Sequence, residues 1–417
     1  MITTINNKHN KLNVPNLRFP EFQGEWEKYK VSDLLDFYST NSLSWDKLEY
    51  GTDAIQNLHY GLIHVGLSTM IDLSKDKLPN ITNGNTPKNY ELCQEGDIAF
   101  ADASEDTNEV AKAVEFYKLK GKDVICGLHT IHGRDNLQKT VVGYKGYAFS
   151  STAFHHQIRR IAQGTKIYSI NSKNFSECYI GIPSKEEQKK IATLLRLIDE
   201  RIVTQNKIID KLQSLIKGIN QSIFMNNNVI NYKLGEVCGI RSGYSGNQLL
   251  SKKGLKVSRI ETISGHKVNM ERVGYVAPFE SSENYRLRVG DILFSNINSV
   301  EYIGNTAFID KDYDLYHGMN LLRLTPNNMV VIPFYLYLLL NTNRMLNRFK
   351  TICNKAVSQA SINQTELGKT VVQIPDINAQ EQICKFYQTL YDKLESEKYA
   401  NSLFQKQKQY LLRQMFI

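Results

Sequence analysis

The sequence contains no Pro-Pro dipeptide, so it lacks the Asn/Asp-Pro-Pro-aromatic motif that DNA-base methyltransferases need. It has no GxxxxGK[ST] loop either, and without that phosphate cradle ATP hydrolysis is not expected. No apolar run reaches the ~20 residues of a membrane span; the longest, MVVIPFYLYLLL at 329–340, is broken by Pro333. The N-terminal stretch MITTINNKHNKLNVP has no basic segment followed by an apolar one, so no export signal is expected. Cys93, Cys126, Cys178, Cys238, Cys353 and Cys384 form no CxxC pair. They read as reduced thiols of a cytoplasmic protein.

Metal chemistry is equally thin. An ExK triplet, Glu187-Gln188-Lys189, has the spacing of a nuclease core, but it falls in the first turn of a predicted helix, where capping accounts for the acid. HTIH at 129–132 and the pair His155-His156 have no cysteine or histidine partner at zinc-like spacing. No metal site and no catalytic residue is expected. The sequence points to a binding protein, not an enzyme.

What is present is a chain of 417 residues, 41% hydrophobic and 22% charged, too long for one ordinary core. Its formal charge of +9 favours a polyanionic partner. The strongest feature is an internal repeat. NYELCQEGDIAF (89–100) parallels NYRLRVGDILF (284–294), and GLIHV at 61 parallels GLKVS at 254. SINSKNFSECYIGIP (169–183) aligns without a gap to SINQTELGKTVVQIP (361–375), and YKVSDLLDF (29–37) resembles YKLGEVCGI (232–240). Four anchors in the same order, offset by 192 to 203 residues, make the chain a duplication.

Each half opens with a mixed region whose short apolar runs have strand length and turn-residue borders, among them LIHVGL, DIAFA, KTVVGY, LKVSRI, DILFS and TAFID. A long helix follows in each, introduced by Pro183 and by Pro375, with Ser184 or Lys185 as the cap of the first. In the first helix a heptad seam runs through Ile191, Leu195, Ile198, Ile202, Gln205, Ile209, Leu212, Ile216, Ile219 and Ile223. The same register, shifted by 192, passes through Ile383, Tyr387, Leu390, Leu394, Glu397, Asn401, Phe404, Lys408, Leu411 and Met415. That seam is poorer, so the second helix is expected to pack less regularly or to contact something else.

The expected fold is α+β: two duplicated α/β domains and two long helices in an antiparallel coiled coil. The boundaries are an N-terminal segment over 1–26, a first domain over 27–183 and a central helix over 184–226. A second domain over 227–375 and a C-terminal helix over 376–417 complete the chain. A helix over 184–224 is roughly 60 Å long at ~1.5 Å per residue, more than one turn of duplex DNA at about 34–36 Å.

These motifs resemble the DNA-specificity subunits of type I restriction-modification systems. The likeness is carried by VPNLRFPEFQGEWEKYKVSDL (14–34), GDIAF, GDILF, GLHT at 127–130, the two SIN…IP segments, and the helix starts EEQKKI and QEQI. It covers almost the whole chain. It implies a subunit without catalytic activity, whose two target-recognition domains each read one half of a bipartite, asymmetric duplex DNA target. The helices would hold the halves at a set spacing and dock two modification subunits. Those partners would bind S-adenosylmethionine and methylate an adenine in each half-site; added restriction subunits would use ATP and Mg for translocation and cleavage. The chain itself would hold no cofactor. One departure is the acidic ADASEDTNE (101–109) after GDIAF, where the second half has SNINSVEYIGN (295–305). The competing reading is a non-catalytic coiled-coil scaffold that binds proteins.

For a DNA reader, phosphate contacts come from Lys, Arg and hydroxyl side chains on loops, and base readout from Arg, Asn, Gln, Ser and Thr. In the second domain the candidates are Arg241, Ser242, Tyr244 and Ser245, then Ser258 and Arg259, Asn296 and Asn298, and Lys355, Ser358 and Gln359. In the first they are Ser39, Thr40 and Asn41, His59 and Tyr60, and Thr165, Lys166 and Tyr168. Two basic stretches that read as helical add Arg159 and Arg160, and Arg344 and Arg348.

Overall fold

The computed structural model describes residues 3–4, 13–222, 228–355 and 359–417. The chain divides into two compact units, Met1–Lys207 with Tyr399–Ile417, and Ile208–Lys398.

In the first unit a five-stranded sheet is built from β1 (Asp36–Tyr38), β2 (Met70–Asp72), β3 (Ile98–Ala101), β4 (Ala113–Lys118) and β5 (Thr130–Arg134), in the order β1-β5-β3-β4-β2. In the second, β6 (Cys238–Ser242), β7 (Ile292–Phe294), β8 (Thr306–Phe308) and β9 (Leu322–Pro326) take the order β6-β9-β7-β8. The GDIAF strand β3 and the GDILF strand β7 therefore hold the same place, each between two antiparallel neighbours.

The repeated Gly-Asp is a strand-entry device. Gly96 (φ +92°) and Gly290 (φ +97°) adopt the left-handed conformation that a side chain disfavours. The next carboxylate closes the turn behind it: Asp97 accepts from the Gln94 amide and Asp291 from the Arg288 amide, both at 2.9 Å. The repeated Ser-Ile-Asn is a helix cap. Asn171 accepts from the Asn174 amide at 2.7 Å and Asn363 from the Glu366 amide at 2.8 Å. Beyond each cap, Tyr179–Ile182 pairs with Glu27–Lys30, and Val371–Ile374 pairs with Ile230–Lys233.

Two expected strands are not strands. GLIHV forms the helix Tyr60–His64, because the His59 ring accepts the Gly61 amide and caps it. KTVVGY is a turn folded around a buried carboxylate: Glu115 accepts from the Gly143 amide at 2.8 Å and the Gly146 amide at 2.7 Å. Burial pushes the Glu115 carboxyl up against the pull of Lys145.

The central helix runs Lys185–Ser222 and the C-terminal helix Ile377–Gln414. Every seam position from Ile191 to Ile219, and every one from Ile383 to Met415, is buried or half-buried; Ile223 lies outside the described residues. Within the first unit the helices run antiparallel, since Asp199 meets Lys408 (2.6 Å), Arg201 lies over Phe404 and Asn206 bonds Asn401 (2.9 Å). There the irregular second seam also meets the domain: Lys408 lies over the Tyr147 ring, and Met415 and Phe416 enter the core with Trp26 and Tyr144. Within the second unit Ile216, Tyr387 and Leu394 join one core, flanked by Ile209, Leu212, Ile383 and Leu390.

Each helix start is bolted to its own domain by a buried glutamine. Gln188 accepts from the Val141 amide and donates to the carbonyls of Lys139 and Pro183. Gln380 accepts from the Ile332 amide and donates to the carbonyls of Val330 and Pro375. Ser184 caps the central helix at the Glu187 amide, and Asp376 caps the C-terminal helix at the Ala379 amide. The Glu187 carboxylate has a larger task than capping: it forms a bidentate pair with Arg18, at 2.8 and 2.7 Å, both side chains buried. The acid of the ExK triplet thus ties the N-terminal segment to the helix. Among the described residues no helix is long and apolar enough to cross a membrane.

Candidate nucleic-acid interface

In the second domain, register places Arg241 of β6 opposite Arg323 of β9. Arg286 and Arg288 join them around a cavity of about 440 Å³ that also has Glu283 and Asp291 in its wall. Asp291 accepts from Thr325 Oγ1 (2.7 Å) and the Arg288 amide, Glu283 accepts from the Tyr316 hydroxyl (3.5 Å), and Arg286 pairs with Asp312 at 3.0 Å. Neither Arg241 nor Arg288 makes an ion pair among the described residues. Burial first, and then the positive charges of Arg241 and Arg288 acting against Asp291, pull the Arg323 guanidinium below the usual arginine range. A concavity with surplus positive charge and fixed guanidinium forks is chemically matched to phosphate. Arg286, Arg288 and Arg323 were missing from the sequence candidates, because strand register brings Arg323 to Arg241 and the fold, not sequence proximity, brings the segment of Arg286 and Arg288 to the same cavity.

The loop candidates fall into groups. Ser245 and Arg259 line one cavity of about 340 Å³ with Asn247 and Gln248. Ile297–Asn298 pairs with Ala360–Ser361, which pairs with Asn354–Lys355, so Asn296, Asn298, Lys355 and Gln359 share one patch. Ser358 lies outside the described residues. The first domain repeats this arrangement: Ala103–Ser104 pairs with Tyr168–Ser169, bringing Tyr168 and the exposed Thr165 and Lys166 to the acidic loop. The two loops after the Gly-Asp-Ile strands are therefore topological equivalents. In the acidic loop, Glu109 pairs with Lys112 (2.7 Å), and Asp102 hydrogen-bonds the His129 ring (3.2 Å).

Several candidates are occupied elsewhere. His59 is buried, capping a helix and held between the tilted rings of Trp45 and Tyr60. Ser258 is buried and accepts the Gly318 amide. Neither presents a surface group, because each side chain is spent on a backbone amide. Tyr244 lies flat on Phe279 at 3.9 Å, leaving it only half-buried rather than free. Asn41 donates to the Cys126 carbonyl, whereas Ser39 and Thr40 beside it are exposed. Arg159 bonds Asn108, Arg160 bonds His156 and Arg344 bonds Gln373; all three, with Arg348, are exposed on helices Thr152–Ile161 and Asn343–Ile352. Arg241 and Ser242 are exposed at the end of β6. Sequence reading also missed Trp45, an exposed aromatic against the His59 ring that no repeat anchor marks.

Residues 76–214 and 226–402 both match the family described as the type I restriction modification DNA specificity domain. The chain belongs to that family. It is 44% identical over 149 residues to a putative type I restriction enzyme MjaX specificity subunit of Methanocaldococcus jannaschii, covering 35% of each chain. It is 22% identical over 275 residues to the type I restriction enzyme EcoKI specificity subunit of Escherichia coli, covering 60% of this chain and 58% of that one. These matches span less than two thirds of the relatives' own length. The fold is similar to the S subunit of a type I restriction-modification system from M. genitalium (TM-score 0.56, 16% identity, 97% of this chain and 99% of that one). It is also similar to a chain solved in a study of complex assembly and conformational transition of the type I R-M system (TM-score 0.59, 15% identity, 93% and 96%).

Proposed function

We propose that this chain is the non-catalytic DNA sequence reader of a type I restriction-modification complex. Each domain reads one half of a bipartite, asymmetric duplex target, and the two 38-residue helices space the halves and dock two modification subunits. S-adenosylmethionine, ATP and Mg belong to the modification and restriction partners, and the complex works in the cytoplasm. The observation that carries this reading is the arginine-lined cavity of the second domain, in a chain of the DNA specificity family.

The test is duplex binding over a salt series with the purified chain, alone and with modification subunits. A reader of several phosphates shows log K falling linearly with log salt at about −0.9 per phosphate neutralised. Methylation mapping with the assembled complex should return two unlike short elements separated by unread bases. Salt-independent or absent DNA affinity, or a continuous palindromic target, would overturn the reading.

A further inference from the structure

The first domain contains a chemical cluster that DNA reading does not use. Cys93, ahead of β3, Cys126, at the end of strand Val124–Cys126, and His132, inside β5, are all buried. Their ligand atoms lie within 4.8 Å of one another. The two Sγ atoms stand 3.6 Å apart. Two thiolates on a tetrahedral zinc, with Zn–S near 2.3 Å, sit about 3.8 Å apart, so the sulfurs are already close to that spacing.

The histidine is prepared in the same sense. Its Nε2 donates to Asp97 at 2.7 Å, and Nδ1 is buried with no hydrogen-bond partner. In the neutral ring with its proton on Nε2, Nδ1 has a lone pair to offer a metal. Asp97 is fixed in turn by the Arg134 guanidinium through two bonds of 2.8 Å. A carboxylate that orients the far nitrogen of a histidine is the usual support behind a metal-bound imidazole. Among the described residues the arrangement has no counterpart in the second domain. Gly133 faces Ile98 and Leu324 faces Ile292, so the register position of His132 is taken by Arg323 in the second.

We propose that Cys93, Cys126 and His132 bind one Zn²⁺, through both sulfurs as thiolates and through His132 Nδ1, with water in the fourth position. Binding releases the two thiol protons. The site braces a loop of the proposed DNA reader, since the Cys126 carbonyl accepts both the backbone amide (3.1 Å) and the side-chain amide (2.8 Å) of Asn41. That part of the inference rests on the DNA-reading function; the metal site does not.

The full chain, purified with reductant and without chelator, should carry about one zinc per chain by elemental analysis. Zinc X-ray absorption of the wild type should report two sulfur neighbours at about 2.3 Å. Metal-stripped protein should develop a thiolate-to-cobalt charge-transfer band with Co²⁺. Cys126→Ser and His132→Asn should lose the band, Asp97→Asn should weaken metal affinity about 10–100-fold, and Cys178→Ser and Cys353→Ser should keep both. Folded wild type that neither carries nor takes up Zn²⁺, or zinc with only oxygen and nitrogen neighbours, overturns the site. So does a Cys93–Cys126 disulfide without metal in protein purified without reductant. Because the absorption and stoichiometry are read on wild type, a variant that fails to fold leaves the test decisive. Loss of DNA affinity with zinc still bound would count against the reader and not against the metal site.

Discussion

Gln188 accepts a hydrogen bond from the backbone amide of Val141 at 2.8 Å. Both groups belong to the junction of domain and long helix, and Gln380 repeats the bond to Ile332 at the same distance. Gln188→Ala would strand one part-buried amide and two carbonyls, one of them buried, at about 1–3 kcal/mol for a buried group left unsatisfied. Urea unfolding should show a loss of at least about 2 kcal/mol for Gln188→Ala, and likewise for Gln380→Ala. A loss under about 0.5 kcal/mol would mean that water replaces the side chain.

The Arg18–Glu187 pair predicts an asymmetry. Removing either partner leaves a buried charge, and Arg18→Met or Glu187→Met should each cost roughly 3–5 kcal/mol. The double variant should recover much of that loss, because no charge is then left alone. Equal, additive losses in a double-mutant cycle would refute the coupling.

Acid should destabilise the second domain through His317. Its Nε2 donates to the Leu321 carbonyl, and burial lowers its pKa from 6.5 to about 4. The unfolded chain binds a proton at 6.5 that the folded chain refuses. Stability is therefore intact above pH 6.5 and declines as pH falls toward 4, by on the order of 3 kcal/mol. His317→Gln should flatten that part of the pH–stability curve; an unchanged slope would assign it to other groups.

The arginine cavity predicts sequence-independent effects. Arg241→Ala and Arg288→Ala should each weaken duplex binding about equally for all sequences, and each should reduce the salt slope by about 0.9. A variant that changed target preference while keeping the slope would make that arginine a base reader.

If the helices space the half-sites, seven residues inserted in both helices should lengthen the spacer. Between Gln205 and Lys207, and between Glu397 and Tyr399, the added heptad preserves the seam. It adds about 10 Å at ~1.5 Å per residue, roughly three base pairs at 3.4 Å each. A four-residue insertion in one helix rotates the seam out of register and should impair binding. Methylation across targets with graded spacers reads the outcome, and an unchanged spacer preference would assign the spacing to the partner subunits.

The duplication, the two long helices and their seams were legible in the sequence, because heptad periodicity and repeated turn devices are local. Gly96 and Gly290, Asn171 and Asn363, and Gln188 and Gln380 recur since each performs one backbone task that few residues can perform. Tertiary structure decided what each of those groups binds. GLIHV and KTVVGY have strand-like composition, yet a histidine cap and a buried carboxylate bend them otherwise. Arg241 finds Arg323 across a strand pair, Arg18 finds Glu187 over 169 residues, and His132 finds Cys93 and Cys126. Side chains so far apart in the chain meet only through sheet register and core packing, and no local spacing records those meetings.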